Sequence, residues 1–391
     1  MSFAKRVSNL APEGAYAMLA RAQELEAQGR HIIHLEIGQP DNPTFENVAL
    51  AGIKAIQDGQ TRYNPPAGLT ALRQALAQDA GKRRGMDLDP AEIIVGPGAK
   101  PILFFPTLAL VNPGDEVIYP DPGFPTYAAM IDVAGGTPAP VPLKEENDFA
   151  FDLDAFDNLI SERTKLVVIN SPSNPTGGVL SMPVLEHITA AAIKHDFWVL
   201  SDEIYSRLTY DHATAPSIAT LPGMRERTVI LDGFSKTYAM TGWRLGYGIM
   251  PPALAERVML LLTHSIGCTA TFTQYAGIEA ITGPQGQVDT VVGTYQARRD
   301  VLVAGLNAIP GLRCRTPQGA FYAFPNITAF KRSSTFISNY LLDEAGVATL
   351  PGTAFGAGGE GFLRLCFANS IDNIKVAVAR IGTALERLAN A

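Results

Sequence analysis

From Ile93 to Met250 the chain repeats one pattern: a short apolar, β-branched run, then a stretch of helical character. The runs fall at 93–95, 116–119, 137–141, 166–170, 198–202, 228–231 and 245–250. Strands joined through helices lie parallel, and strands apolar on both faces need cover on both. The pattern therefore predicts an α/β fold with a mostly parallel sheet and helices on both faces. Ligands of such sheets sit beyond the carboxyl ends of the strands. Asn170, Asp202 and Lys236 all fall at or just after such ends, as one shared site requires. Before this region the spacing predicts helices over 15–28, 45–58 and 69–84 and an extended segment over 31–37; a buried helix follows at 101–111. After Gly283 the character changes: a helix over 288–306, paired strands around Gly319 over 313–325, a helix over 334–344, a strand over 362–367 and a helix over 371–388. This α+β run predicts a second, smaller domain built from both chain ends. Residues 1–44 would pack with it, 45–284 would form the large domain that holds the site, and 285–391 the small one.

A chain of 391 residues exceeds one ordinary core, which supports the two-domain reading. A net charge of −7 with no Lys/Arg run argues against a nucleic-acid partner. Cys268, Cys314 and Cys366 are odd in number and far apart, so they offer neither a disulfide framework nor a CxxC metal pair. His31 and His34 would face opposite sides of an extended segment and could not share a metal, so no metal is expected. Residues 1–10 lack the apolar core of a leader peptide, and the greasiest run, 101–111, holds two prolines and is too short to span a bilayer. The expectation is a soluble, cytoplasmic protein without a membrane partner.

The chemistry centres on LDGFSKTYAMTGWRLGYG, residues 231–248. Lys236 stands between Ser235 and Thr237 past the end of a strand, and Arg244 follows eight residues later. Alone, such a lysine is a surface residue. With hydroxyls, a fixed cation and glycines that let a ligand approach the backbone, it suits a phosphorylated aldehyde cofactor held as a Schiff base. Asp202, ending WVLSD, is either a helix cap or a carboxylate that keeps a pyridine nitrogen protonated. Tyr205 comes three residues later and could reach the same ring. Asn174, in SPSNPTGG, is either a polar turn residue or an amide donor to a phenolate oxygen. Gly96-Pro97-Gly98-Ala99-Lys100 follows a strand and opens a helix, a setting that stabilises a phosphate. The third glycine of a dinucleotide fingerprint is replaced by Pro101. The other glycine-rich stretch, 352–361, reads as a loop. Arg364, in FLRLCF, shares a strand face with Phe362 and Cys366; it is either a structural ion pair or a planar grip on a carboxylate. Phe124 is a core aromatic or a ring lying on a cofactor. Gly38 sits in a turn where backbone can approach a substrate, and Tyr63 lies in a Pro-rich loop where packing is the ordinary reading.

Taken together, these motifs resemble the fold-type-I, pyridoxal-phosphate-dependent class-I aminotransferases, the aspartate aminotransferase-like group. The resemblance runs nearly end to end, through LEIGQPD, TRYNPPAGLTALR, NPGDEV, NSPSNPTGG, SDEIY, FSKTYAMTGWRLGY, GAFY, PGTAFG and LRLCFANS. It implies pyridoxal 5'-phosphate as cofactor and an amino acid and a 2-oxo acid as substrates, exchanged in a ping-pong cycle. By the same resemblance Lys236 would bind the aldehyde and shuttle the proton, Asp202 would hold the pyridinium, and Asn174 and Tyr205 the phenolate, with Phe124 stacked on the ring. Arg244, Ser235 and the backbone at Gly98, Ala99 and Lys100 would hold the phosphate. Arg364, Asn174 and the Gly38 backbone would bind the substrate. Tyr63 would reach the phosphate of a neighbouring subunit, implying a homodimer with shared sites. Gly233 stands where many members carry a phosphate-binding serine, a place the backbone or Ser235 would fill. The segment APEGAYAML lacks the hydroxyl pair of some aspartate-specific members, Leu108 stands where some have a basic residue, and Asp41-Asn42-Pro43-Thr44 replaces the usual DFDTP.

Aspartate with 2-oxoglutarate is the default pair such a resemblance implies; aromatic or alanine donors stay open. A β-lyase on the same scaffold is the alternative chemistry. A regulator built on this scaffold would carry an added DNA-binding domain, for which the segments before Gly14 and after Arg387 leave no room.

Overall fold

Seven strands form the central sheet of the protein, whose structure, a computed structural model, describes residues 4–8, 10 and 12–390. The leader reading of 1–10 and the segment APEGAYAML thus fall partly on residues 1–3, 9 and 11, which lie outside the described residues. In chain order the strands are β1 (Ile33–His34), β2 (Ile93–Gly96), β3 (Glu116–Asp121), β4 (Thr137–Pro142), β5 (Thr164–Asn170), β6 (Trp198–Asp202), β7 (Thr228–Gly233), β8 (Gly246–Ile249), β9 (Tyr322–Ala323), β10 (Val347–Ala348), β11 (Leu350–Pro351) and β12 (Leu363–Cys366). The large sheet runs β2-β8-β7-β6-β5-β3-β4. From β7 to β4 every pairing is parallel; β8 alone runs against both its neighbours. The connection over residues 234–245, which carries Lys236, contains no α-helix of the kind that carries a parallel crossover, and β8 returns antiparallel. Strands β2, β7 and β8 are buried along their whole length, as expected of runs apolar on both faces.

Helices α1 (Gly14–Ala27), α2 (Glu46–Gln57), α3 (Thr70–Arg84) and α4 (Lys100–Leu110) match the predicted ones to within about two residues at each end. Helix α3 stops at Gly85, whose φ of 67° is left-handed. Among the described residues no helix is long and apolar enough to cross a membrane.

Two small sheets come from the ends of the chain. Strand β1 pairs in parallel with β10, and β12 lies between β11 and β9. The extended segment predicted over 31–37 keeps only two residues of ladder. Its other backbone groups bridge the small sheets: Leu35 N–H donates to Ala348 O at 3.0 Å, and Leu35 O accepts from Cys366 N–H at 2.7 Å.

The paired strands predicted around Gly319 do not form. Only one bridge, Arg313 to Asn326, remains of them, and β9 pairs with β12 instead. The N–H groups of Gln318 and Gly319 donate to Gly177 O at 2.9 and 3.0 Å, and that of Ala320 to Leu208 O at 2.9 Å. The tip is therefore spent on the loops after β5 and β6. A Cβ at Gly319 would lie 2.6 Å from Pro172, so glycine is what lets the tip seat there. This contact fastens the C-terminal part of the chain to the loop that carries Asn174.

Candidate active site

A cavity of about 580 Å³ opens beyond the carboxyl ends of β5, β6 and β7. Asp202, the last residue of β6, and Asn170, the last of β5, stand side by side in register at its floor. Asn170 Nδ2 donates to Asp202 O at 3.0 Å, and its Oδ1 accepts from Asn174 N–H at 2.8 Å. One side chain thus ties the end of β6 to the turn that bears Asn174.

Lys236 follows β7 by three residues and lines the same cavity. Its Nζ donates to Gly38 O at 2.6 Å and lies 5.9 Å from the Tyr205 ring and 5.6 Å from the Phe321 ring. Burial pushes its pKa from 10.5 down to about 8, and the cations Arg364 and Arg244 push the same way. An amine so placed is neutral for part of the time near physiological pH and can act as a nucleophile.

Asp202 is buried, with Tyr127 O–H donating to its Oδ2 at 2.7 Å and Ile204 N–H to its Oδ1 at 3.2 Å. Burial raises its pKa to about 6 against the pull of those two donors. Among the described residues it pairs with no cation. A buried carboxylate without a cation is costly, and a protonated ring nitrogen in the cavity would remove that cost. The residues present therefore fit a pyridinium ring and an aldehyde carbon within reach of one amine.

Arg364 lies on β12, buried, stacked 4.5 Å over the Tyr322 ring and 4.8 Å over that of Phe355. It donates to Asn174 Oδ1 at 3.1 Å and to Glu36 O, and its Nε is buried with no partner. That orphaned donor, in a side chain that lines the cavity, suits a carboxylate ligand. Tyr205 O–H and Tyr322 O–H meet at 2.8 Å, with the rings edge to face. Gly38 is pressed so closely against Tyr322 O–H that no side chain would fit there.

The cavity's other end is formed where α4 begins. Ala99, Lys100 and Ser235 line it, together with Arg244. The first N–H groups of an α-helix have no intrahelical partner and carry partial positive charge. Gly98 has a φ of 87°, and a Cβ there would collide with the Arg244 guanidinium. Backbone and cation are thereby brought together as a phosphate cradle requires. Phe124 also faces the cavity, edge-on to Tyr127 at 5.8 Å.

The structure thus gathers Gly38, Ala99, Lys100, Phe124, Asn174, Asp202, Tyr205, Ser235, Lys236, Arg244 and Arg364 around one cavity, with Gly98 against Arg244. Tyr63 is not among the lining residues; it is 96% exposed. Sequence reasoning missed Tyr127 and Tyr322. Tyr127 follows Phe124 by three residues and Tyr322 lies inside GAFY, but neither has a spacing that distinguishes a partner of Asp202 or Arg364 from a core tyrosine.

A family model described as aminotransferase class I and II matches residues 30–381. The chain is 39% identical to the aspartate aminotransferase of Geobacillus stearothermophilus over 99% of both chains. It is 36% identical to aromatic-amino-acid aminotransferase 2 of Thermococcus litoralis, again over 99% of both. The crystal structure of the aspartate aminotransferase from Rhizobium meliloti superposes with a TM-score of 0.95 at 34% identity, covering 99% of each chain.

Proposed function

The chain belongs to the class I and II aminotransferases, and from that premise we propose which of its residues carry transamination and which donors it takes. It is a pyridoxal-phosphate-dependent transaminase, moving an amino group from an amino acid to a 2-oxo acid. The observation that carries the assignment of roles is the shared cavity. It holds an amine pushed down to about 8, a buried carboxylate with no cation and an arginine with an orphaned donor.

Bound pyridoxal 5'-phosphate supplies an electron sink that acidifies the Cα–H of an attached amino acid. Lys236 would anchor it and, once displaced, carry the proton from and to Cα. Asp202, steadied by Tyr127, would keep the ring nitrogen protonated. Tyr205 would donate to the phenolate oxygen; so would the Asn174 amide, whose carbonyl end is already engaged by Arg364. Phe124 would lie against the ring. Arg244, Ser235 and the backbone of Gly98, Ala99 and Lys100 would hold the phosphate. Arg364 would grip the α-carboxylate in two places, with Gly38 leaving room for it.

In the same reading residues 45–284 form the large domain, 285–391 the small one, and 1–44 pack with the latter. The chain works in the cytoplasm as a homodimer, and Tyr63 reaches into the site of the second copy. Aspartate and 2-oxoglutarate are the first pair to consider, given relatives named aspartate aminotransferase. Aromatic donors are a second reading, supported by the apolar cavity wall at Tyr16, Leu19 and Leu103.

A panel of amino acids added one at a time to the purified holoenzyme tests this. A true donor converts the aldehyde absorbance to that of the amino form, and a 2-oxo acid reverses it. A β-lyase would restore the aldehyde and release pyruvate and ammonia. A panel in which no amino acid gives a stable amino form defeats the proposal.

A further inference from the structure

Four cations and two anions line the cavity: Lys100, Lys236, Arg244 and Arg364, with Glu13 and Asp202. The reading above, on which this inference rests, employs the side chains of all but Lys100 and Glu13. Those two are paired with each other, ammonium to carboxylate. The rest of the wall around them is apolar or aromatic, formed by Ala15, Tyr16, Leu19 and Leu103.

The pair is placed to open. Glu13 is the residue before α1 and makes no side-chain bond to its own helix. Its side chain and that of Lys100 are 27% and 45% exposed, so water can solvate either partner on separation. Lys100 Nζ also lies 5.4 Å from the ring of Phe124, which lines the cavity and gives the ammonium a second contact besides Glu13. With the pair closed the wall carries no net charge and suits an apolar or aromatic side chain. A substrate with a second carboxylate needs a cation there, and the free one is Lys100 once Glu13 has left it.

We propose that Glu13 determines substrate specificity, competing with the second carboxylate of a dicarboxylic amino acid for Lys100. It would thus set the balance between dicarboxylic and aromatic substrates.

Glu13→Gln keeps the shape and removes the competing charge. The ratio of kcat/KM for aspartate to that for phenylalanine should rise about two- to fivefold, the scale of a partly exposed charge pair. Succinate, which cannot react, should bind the Glu13→Gln holoenzyme tighter by a similar factor in calorimetry. Adding Lys100→Met to Glu13→Gln should cancel both gains. An unchanged ratio with unchanged succinate binding overturns the proposal, and so does a gain that survives Lys100→Met. If the parent enzyme transaminates neither donor, it is the reading of the cavity that fails instead.

Discussion

At position 236 burial and function pull the same way. The amine must be neutral to attack an aldehyde, and a half-enclosed site between two arginines makes its charge costly. Without cofactor its folded pKa, about 8, lies below the ordinary 10.5, so between these values the unfolded chain holds more protons than the folded one. Stability therefore rises with pH through that window, and below it the folded chain carries a penalty of about 1–3 kcal/mol. Lys236→Ala should abolish turnover and the cofactor's bound absorbance while the fold survives. Stripped of cofactor, its stability relative to the parent should be most favourable at pH 7 and decline towards pH 10. Urea denaturation of both proteins at the two pH values measures this, and a flat difference would mean that the amine titrates as in water. The placement of Lys236 and Asp202 beside one cavity was legible from the strand ends, and that of Arg364 on a strand from its apolar neighbours. Tyr127 and Tyr322 were not, since a tyrosine hydroxyl is assigned only by what it touches, and both partners lie far off in sequence: Asp202 for one, Tyr205 for the other.

At the scale of elements, strands β2 and β5 to β8 could be read from their apolar runs because each is buried along most or all of its length. The pair expected around Gly319 failed because the loops after β5 and β6 take its backbone bonds, a choice made by distant chain. Helix α4 shows how strand packing reaches the site. Gly246 on β8 pairs with Gly96 on β2, and a Cβ at Gly246 would stand 2.5 Å from Gly98 C and 2.6 Å from Ala99 N. Both are backbone atoms that no rotamer change can move. Gly246→Ala should therefore push the start of α4 away from Arg244, costing about 1–3 kcal/mol of stability as overpacking does. It should weaken cofactor binding more than tenfold, because the phosphate cradle moves. Cofactor titration beside urea denaturation separates the two effects, and normal affinity with reduced stability would show that the cradle does not depend on this contact.

On the scale of the whole molecule, the cavity draws on every part of the chain: Gly38 before the large sheet, Asp202 and Lys236 from it, and Arg364 from β12. Tyr63 is the proposed site residue that this arrangement leaves outside, 96% exposed in a loop that no cavity contact employs. Tyr63 does not reach the cavity of its own subunit, so its proposed use requires a second copy of the chain. Mixing tests that directly. Lys236→Ala should be inactive and Tyr63→Ala impaired through loss of a phosphate contact. A hybrid of the two holds one site with an intact lysine and an intact tyrosine from the other chain. Unfolded together in equal amounts and refolded, half the dimers are hybrids with one competent site in two, so activity should recover to about one quarter of the parent's. If Tyr63 served the site of its own chain, every hybrid site would lack one of the two residues, and the mixture would show only the average of the separate variants.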